Sequence, residues 1–289
     1  MAVGQHFLLM EELMPRFVQH FLIILLMTGL SGVSAAVAEE PVAYVRYETT
    51  EGIRHGILKQ GEINELTGGL FPMTEPTGKR IKPASVRLLP PTDARKVFAV
   101  GMNFASHIAS APNRPPPLFL KLPTSLTGDG AVITLPEDAE NVHFEGELVL
   151  VIGQRAKNVS EIRAGEYIFG VTIGNDLTER NWQGQDLQWM RAKASDGFGP
   201  VGPAVVTGLD PDNLLLTTRL NGEIVQQENT RNMIHKPARV VSYLSRYFTL
   251  EAGDLIFMGT PGRTRALNDG DTITVTIDGI GQLRNRIKQ

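Results

Sequence analysis

Apolar positions in this chain recur mostly every second residue, in short runs broken by Gly, Pro, Asn and Asp, and that spacing predicts strands. Val42–Tyr47, Arg54–Leu58 and Glu62–Leu66 form a first group. Gly68, Gly69, Pro72, Pro76, Gly78 and Pro83 then punctuate a linker. A second group comprises Val97–Val100, Leu118–Lys121, Ala131–Leu135, Phe144–Ile152, Tyr167–Ile173 and Val201–Val206. Asn221-Gly222, between Leu214–Leu220 and Glu223–Gln227, predicts a tight hairpin because both turn positions favour positive φ. Asp278-Gly279 repeats the device after Thr272–Ile277. Helical spacing is confined to two segments. One is expected to start after Asp176 and run toward Arg191. The other starts at Pro237, a residue suited to a first helical turn, and presents Val240, Val241, Leu244, Tyr247 and Phe248 as a core face. The pattern therefore predicts an α+β chain that is mostly β. A small β domain with its linker would occupy residues 39–87, and the main domain 88–289.

One stretch breaks this pattern. Arg16 precedes the apolar run Phe21–Met27, and the small residues of Ala36-Val37-Ala38 follow, the order of a secretory signal. The run is too short for a comfortable membrane span, although an uncleaved anchor is the alternative. We expect residues 1–38 to be cut near Ala38, leaving an exported, periplasmic protein with no stable membrane span. Met14 is a candidate start, because Glu11 and Glu12 are out of place ahead of a basic flank. The formal charge of −3 is spread without a basic stripe and gives no reason to expect nucleic acid. There is no cysteine, which excludes disulfides, thiolate metal sites and a Cys nucleophile. Any metal must then be held by oxygen or imidazole.

The chemistry concentrates in His143-Phe144-Glu145-Gly146-Glu147. Strand alternation puts His143, Glu145, Glu147 and Val149 on one face, and Leu148–Ile152 continues apolar on both faces, as in a buried strand. Two adjacent carboxylates repel unless a cation lies between them or one is protonated. The alternative is an exposed edge with both acids solvated. Asp176 adds a third carboxylate at a strand-to-helix junction, where it could equally serve as a helix cap. In the expected helix, Asp176, Arg180 and Gln183 share one face, a poor core stripe and a good anion site. Hard oxygen donors suit Mg²⁺, or alternatively Mn²⁺ or Ca²⁺, better than Zn²⁺.

Five segments in order carry a resemblance. They are Phe119-Leu120-Lys121, Phe144–Leu148, Gly174–Gln183, Lys193–Pro203 and Gly259-Thr260-Pro261. Together, from about Val97 to the C-terminus, they resemble the fumarylacetoacetate hydrolase family. The resemblance implies a mixed β-roll or sandwich of that family's C-terminal-domain type, often dimeric, with the metal on Glu145, Glu147 and Asp176. It implies that Arg180 and Gln183 hold substrate oxygens, that Lys121 and Lys193 line the same pocket, and that Thr260 presents its backbone to the ligand. Lys193 would supply a charge or a proton to the reaction. Members cleave C–C bonds in diketo acids, or decarboxylate, hydrate or isomerise related oxo acids. The expected substrate is a small oxo-acid and the expected assembly a homodimer.

Two departures qualify it. Hydrolases of the family follow a G-x-N segment with a histidine and, three residues later, a glutamate that orients it. Here Gly101-Met102-Asn103 leads to His107, but that later position is Ser110. This leaves His107 as either a weaker base or a substrate contact. After Gly259-Thr260-Pro261-Gly262 the chain carries Arg263, Thr264 and Arg265 where the family has small residues, and the arginines are expected to face solvent. The expectation is a metal-dependent hydrolase of a diketo acid. A decarboxylase, isomerase or hydratase, or a carboxylate-binding protein without turnover, is the alternative.

Overall fold

The first predicted group of strands forms an antiparallel meander, β1 (Val42–Thr49), β2 (Gly52–Lys59) and β3 (Glu62–Leu66). The computed structural model describes residues 40–108 and 114–289. The expected signal segment, Met14 and Ser110 lie outside the described residues. The segment read as a linker holds a strand, β4 (Pro76–Ile81), paired with β3 at the sheet's edge. Its Pro and Gly hid it, but an edge strand tolerates both because one side makes no ladder bonds.

The meander is continuous with the main sheet. β5 (Arg87–Leu88) pairs with β1, and after it come β6 (Val97–Val100), β7 (Leu118–Lys121), β8 (Leu126–Thr127), β9 (Val132–Thr134) and β10 (Val142–His143). β11 (Gly146–Ile152) and β12 (Ile168–Asn175) form the centre. β13 (Thr178–Glu179), β14 (Gly199–Thr207), β15 (Leu215–Leu220), β16 (Glu223–Asn229), β17 (Leu255–Phe257), β18 (Thr272–Ile277) and β19 (Gly281–Lys288) complete the described strands. The large sheet runs β4-β3-β2-β1-β14-β12-β11-β17-β6-β7. A second sheet runs β16-β15-β18-β19-β9, and its β15–β16 hairpin turns at Asn221-Gly222, both at positive φ as predicted. The result is the mixed, mostly β architecture expected.

β11 divides the interior. Leu148, Leu150 and Ile152 face a core shared with Ile173, Ile256, Val275 and the helix at Pro237, whereas Val149 and Val151 face Val97, Ala99, Val205 and Phe257. Every residue of the strand is buried. Both faces are covered, so the run is apolar without alternation. Glu147 has the parity of Val149 and therefore projects toward the β6–β7 side.

The helix expected to begin after Asp176 begins instead at Arg180. Thr178–Glu179 pairs with Val142–His143, and the Glu179 carboxylate caps the helix by accepting from the Trp182 N–H at 2.5 Å. With Glu179 as cap, Asp176 lies outside the helix, so the predicted Asp176–Arg180–Gln183 face is corrected to Arg180 and Gln183 alone. The helical stretch is also split, into α1 (Arg180–Gln185) and α2 (Met190–Ala194), by Trp189 at φ 58°. α3 (Pro237–Tyr247) starts where predicted and buries Val240, Val241 and Leu244, but Tyr247 and Phe248, expected on the same core face, are exposed at its end. Among the described residues, no helix is long and apolar enough to cross a membrane.

Candidate active site

The β11–β12 register builds the acidic cluster. Gly146 pairs with Asn175 and Glu147 with Gly174, so Glu145 and Asp176 come opposite each other just beyond the ladder. The Asp176 N–H donates to the Glu145 carbonyl at 2.9 Å, and the Asn175 side chain accepts from the Glu145 N–H at 2.8 Å. Gly146 is small for a reason: a Cβ there would run into the Thr218 hydroxyl and Val275 of the second sheet. The two glutamates can thus flank a close contact between sheets. One oxygen from each of Glu145, Glu147 and Asp176 lies within 4.8 Å of the others, and all three residues are buried.

Cations surround this cluster unevenly. Lys193 Nζ, on α2, lies 2.6 Å from both Glu145 Oε2 and Asp176 Oδ2. Lys121 Nζ, at the end of β7, lies 2.5 Å from Asp176 Oδ1 and also donates to the Lys193 carbonyl. Arg180 reaches Glu145 Oε1 at 2.5 Å. Glu147 stands apart. Among the described residues no cationic side chain pairs with it, and its one protein donor is the Gly259 N–H, at 2.7 Å. Gly259 itself has φ 91°, and a Cβ on it would fall 2.7 Å from that of Asn103. Only glycine brings a backbone N–H this close to the carboxylate.

The electrostatics follow from this asymmetry. Burial works against the Glu145 carboxylate, but Lys193 and Arg180 outweigh it and hold the group well below the usual carboxylate range. Burial, reinforced by Asp176 and Glu145, pushes Glu147 well above that range. Burial also disfavours the Lys193 ammonium, yet Asp176 and Glu145 more than offset it and raise the group above an ordinary lysine. For Lys121, burial wins over Asp176 and lowers it. A buried carboxylate that lacks a cation, beside two others, is what a divalent ion would complete. The donor set is all hard oxygen, so the residues fit such an ion, which Glu145, Glu147 and Asp176 would hold.

The expected substrate residues gather at the same cavity, with one exception. His107, Arg180, Gln183, Lys193 and Thr260 line it, together with Phe119 and Trp189. Lys121 lies beneath the carboxylates rather than in the cavity wall. Arg180 Nη1 donates to Gln183 Oε1 at 2.8 Å, and Nη2 donates to Thr264 Oγ1 at 3.0 Å. Thr260 Oγ1 donates to the Gly146 carbonyl at 2.9 Å, tying the loop to the Glu145-Gly146-Glu147 segment. Arg263 and Arg265 are exposed as expected, and Arg265 pairs with Glu223 at 2.8 Å. His143 packs beside the site: one ring nitrogen meets Thr264 Oγ1 at 2.9 Å and the other Asn141 Oδ1 at 3.0 Å. Trp189 and Thr264 were not foreseen as site residues. Trp189's left-handed backbone, unusual for a bulky residue, has no signature in the sequence.

His107 is held by backbone. Its Nδ1 lies 2.6 Å from the Gly262 carbonyl, and its Nε2 is 3.9 Å from Glu145 Oε1. A carbonyl only accepts, so Nδ1 carries a hydrogen, and Nε2 is the ring nitrogen that faces the cavity.

Comparison with known proteins identifies relatives of the chain. Residues 96–288 match the family model described as fumarylacetoacetate (FAA) hydrolase C-terminal, and residues 43–91 match Rv2993c-like, N-terminal. The Mycobacterium tuberculosis protein Rv2993c is 45% identical over 238 residues, covering 78% of this chain and 90% of the relative. A crystal structure of 5-carboxymethyl-2-hydroxymuconate delta-isomerase from Mycobacterium smegmatis superposes with TM-score 0.81 at 42% identity, over 85% of this chain and 99% of that one. Fumarylpyruvate hydrolase from Pseudomonas aeruginosa, solved with Mn²⁺ and pyruvate, superposes with TM-score 0.65 at 30% identity, over 70% of this chain and 91% of that one.

Proposed function

The chain belongs to the fumarylacetoacetate hydrolase family, and from that premise we propose that it is a Mg²⁺-dependent hydrolase cleaving a C–C bond in a small diketo acid, of the acylpyruvate or fumarylpyruvate type. The observation that carries the choice of hydrolysis is His107, whose Nε2 faces the carboxylate cluster while Nδ1 is engaged by a backbone carbonyl. The 3.9 Å gap to Glu145 is too long for a direct hydrogen bond and leaves room for a water at Nε2.

Glu145, Glu147 and Asp176 would hold a divalent ion, which would supply Lewis-acid polarisation to the substrate. Arg180, braced by Gln183 and Thr264, offers a planar guanidinium to the substrate carboxylate. His107 Nε2 takes a proton from water as the water oxygen adds to the acyl carbon. The C–C bond then breaks and its electron pair passes to the departing oxo acid as an enolate. The Lys193 ammonium stabilises that negative charge, and the proton held by His107 returns to the carbon. One carboxylic acid and one 2-oxo acid result, with one water consumed.

A second reading, isomerisation or decarboxylation, needs Arg180 and the acidic cluster but no activated water. It is supported by Ser110 at the position of the family's glutamate and by the likeness to the Mycobacterium smegmatis isomerase. An assay of the Mg²⁺-loaded protein separates the two. Acetylpyruvate and fumarylpyruvate are expected to yield pyruvate plus the second acid. Carbon dioxide from oxaloacetate, with both diketo acids left intact, would reject hydrolysis; binding without turnover would reject an enzyme altogether.

Arg180's bracing gives a smaller test. Thr264→Val removes the hydroxyl that accepts from Arg180 while keeping the side-chain shape. Substrate affinity is expected to fall by about tenfold, the scale of a hydrogen bond to a charged group, with kcat little changed. A fall in kcat with KM constant would assign Thr264 to the chemical step instead.

A further inference from the structure

The family's orienting glutamate is absent at Ser110, yet a carboxylate does reach His107's support from elsewhere in the fold. Glu228 lies on β16, in the second sheet, and its Oε2 accepts from the Ser106 hydroxyl. Ser106 Oγ in turn accepts from the Gly262 N–H at 3.0 Å. The carbonyl of the same Gly262 is the group that accepts from His107 Nδ1 at 2.6 Å. The other Glu228 oxygen accepts from Asn232 Nδ2 at 2.9 Å, so the carboxylate is held at both ends.

The direction of each bond is set by chemistry. A hydroxyl has one hydrogen; Ser106 gives it to the carboxylate and must therefore accept from the Gly262 N–H. The chain of bonds is then determinate from Glu228 to the imidazole. Gly262, at φ 62°, turns its N–H toward Ser106 and its carbonyl toward the ring. Gln226, two residues before Glu228 and so on the same strand face, grips the same loop through Thr260 Oγ1 at 2.9 Å and the Pro261 carbonyl at 2.5 Å. The loop from Gly259 to Gly262 is thus fastened to one face of β16 at two points, directly by the buried Gln226 and through Ser106 by the half-buried Glu228.

We propose that Glu228 and Ser106 are positioning residues that act through Gly262 to fix His107 as its Nδ1–H tautomer, with Nε2 directed at the cavity. The relay takes over the orienting half of the role that a glutamate at position 110 has in the family's hydrolases. It does not place a carboxylate on the ring itself. The proposal rests on the hydrolase reading for its consequence in turnover, but the tautomer it predicts is observable without any substrate.

The experiment is ¹⁵N NMR of the histidine rings in the Mg²⁺-loaded protein, with the His107 signals identified by their loss in His107→Gln. The expected spectrum, recorded at a pH where the ring is neutral, shows His107 protonated at Nδ1. In Glu228→Ala and in Ser106→Ala the ring is expected to become a mixture of tautomers, and kcat on a cleavable diketo acid to fall about tenfold with KM within about twofold, less than the full contribution of a general base. Glu228→Gln and Ser106→Thr keep an acceptor and a hydroxyl and are expected to restore the single tautomer. A wild-type ring protonated at Nε2 would overturn the relay, as would an unchanged ring in a folded Glu228→Ala protein. If Glu228→Ala does not fold, the wild-type and Ser106→Ala spectra still decide the matter. An Nδ1–H ring in a protein that cleaves no diketo acid would keep the relay and reject the hydrolase reading.

Discussion

Replacing Glu147 with Gln is expected to abolish turnover, by about a thousandfold or more, and to remove the stabilisation expected of Mg²⁺ in the wild-type protein. Glu147 is the pivot because its neighbours already have cations: Glu145 has Lys193 and Arg180, and Asp176 has Lys121 and Lys193. Without metal, burial together with Asp176 and Glu145 pushes the Glu147 carboxyl well above the usual carboxylate range and favours its neutral form. Gln imitates that neutral form, so the metal-free variant should fold normally. The sign of the pH effect follows. A raised folded pKa means that the folded state binds more proton than the unfolded one, so metal-free wild type loses stability as pH rises above the ordinary carboxylate range. Glu147→Gln should flatten that loss, and Mg²⁺ should flatten it in wild type only. Thermal melts with and without Mg²⁺ at several pH values, alongside turnover, give the test. Full activity in the variant would exclude Glu147 as a ligand.

Much of this site was legible because single strands carry their own pattern. Leu148–Ile152, apolar on both faces, announced a buried strand, and the two glutamates before it could hardly be tolerated there unassisted. The Asn-Gly turn was equally plain, since few residues accept positive φ; Asp278-Gly279 also marks a hairpin, but its loop is a residue longer and only Gly279 has positive φ. What failed was competition between similar local signals. Asp176 and Glu179 can both cap a helix, and only the pairing of Thr178–Glu179 with Val142–His143 decides for Glu179. Pro76 and Gly78 read as linker because edge position, which makes them tolerable in β4, depends on the sheet order. Strand register is not written in the sequence either. That Glu145 should meet Asp176 is a property of the β11–β12 ladder, and that Glu228 should meet Ser106 depends on how the two sheets pack. Lys121 illustrates the limit on orientation: its place in the site was foreseen, but its position under the carboxylates was not.

Lys193→Met is expected to move metal affinity and turnover in opposite directions. Its ammonium sits 2.6 Å from Glu145 and Asp176 and so competes with a cation for their charge. Removing it leaves Glu145 to Arg180 and Asp176 to Lys121, with more negative potential at the cluster. Mg²⁺ should therefore bind more tightly, while the metal-free protein should be destabilised, on the scale of about 3–5 kcal/mol for a broken buried pair, and should regain stability when Mg²⁺ is added. Turnover should nevertheless fall by roughly a hundredfold to a thousandfold, because the charge that stabilises the departing enolate is gone. Methionine keeps the length and apolar stem of the side chain and removes the ammonium, which lies 5.0 Å from the centre of the Phe119 ring as well as beside the two carboxylates, so the effect reports the charge. Calorimetric Mg²⁺ titration and steady-state kinetics on the same preparation check both arms. Weaker Mg²⁺ binding would mean that Lys193 helps to organise the carboxylates for the ion rather than competing with it. Undiminished turnover would remove it from the reaction and leave Arg180 to carry the positive charge at the cavity alone.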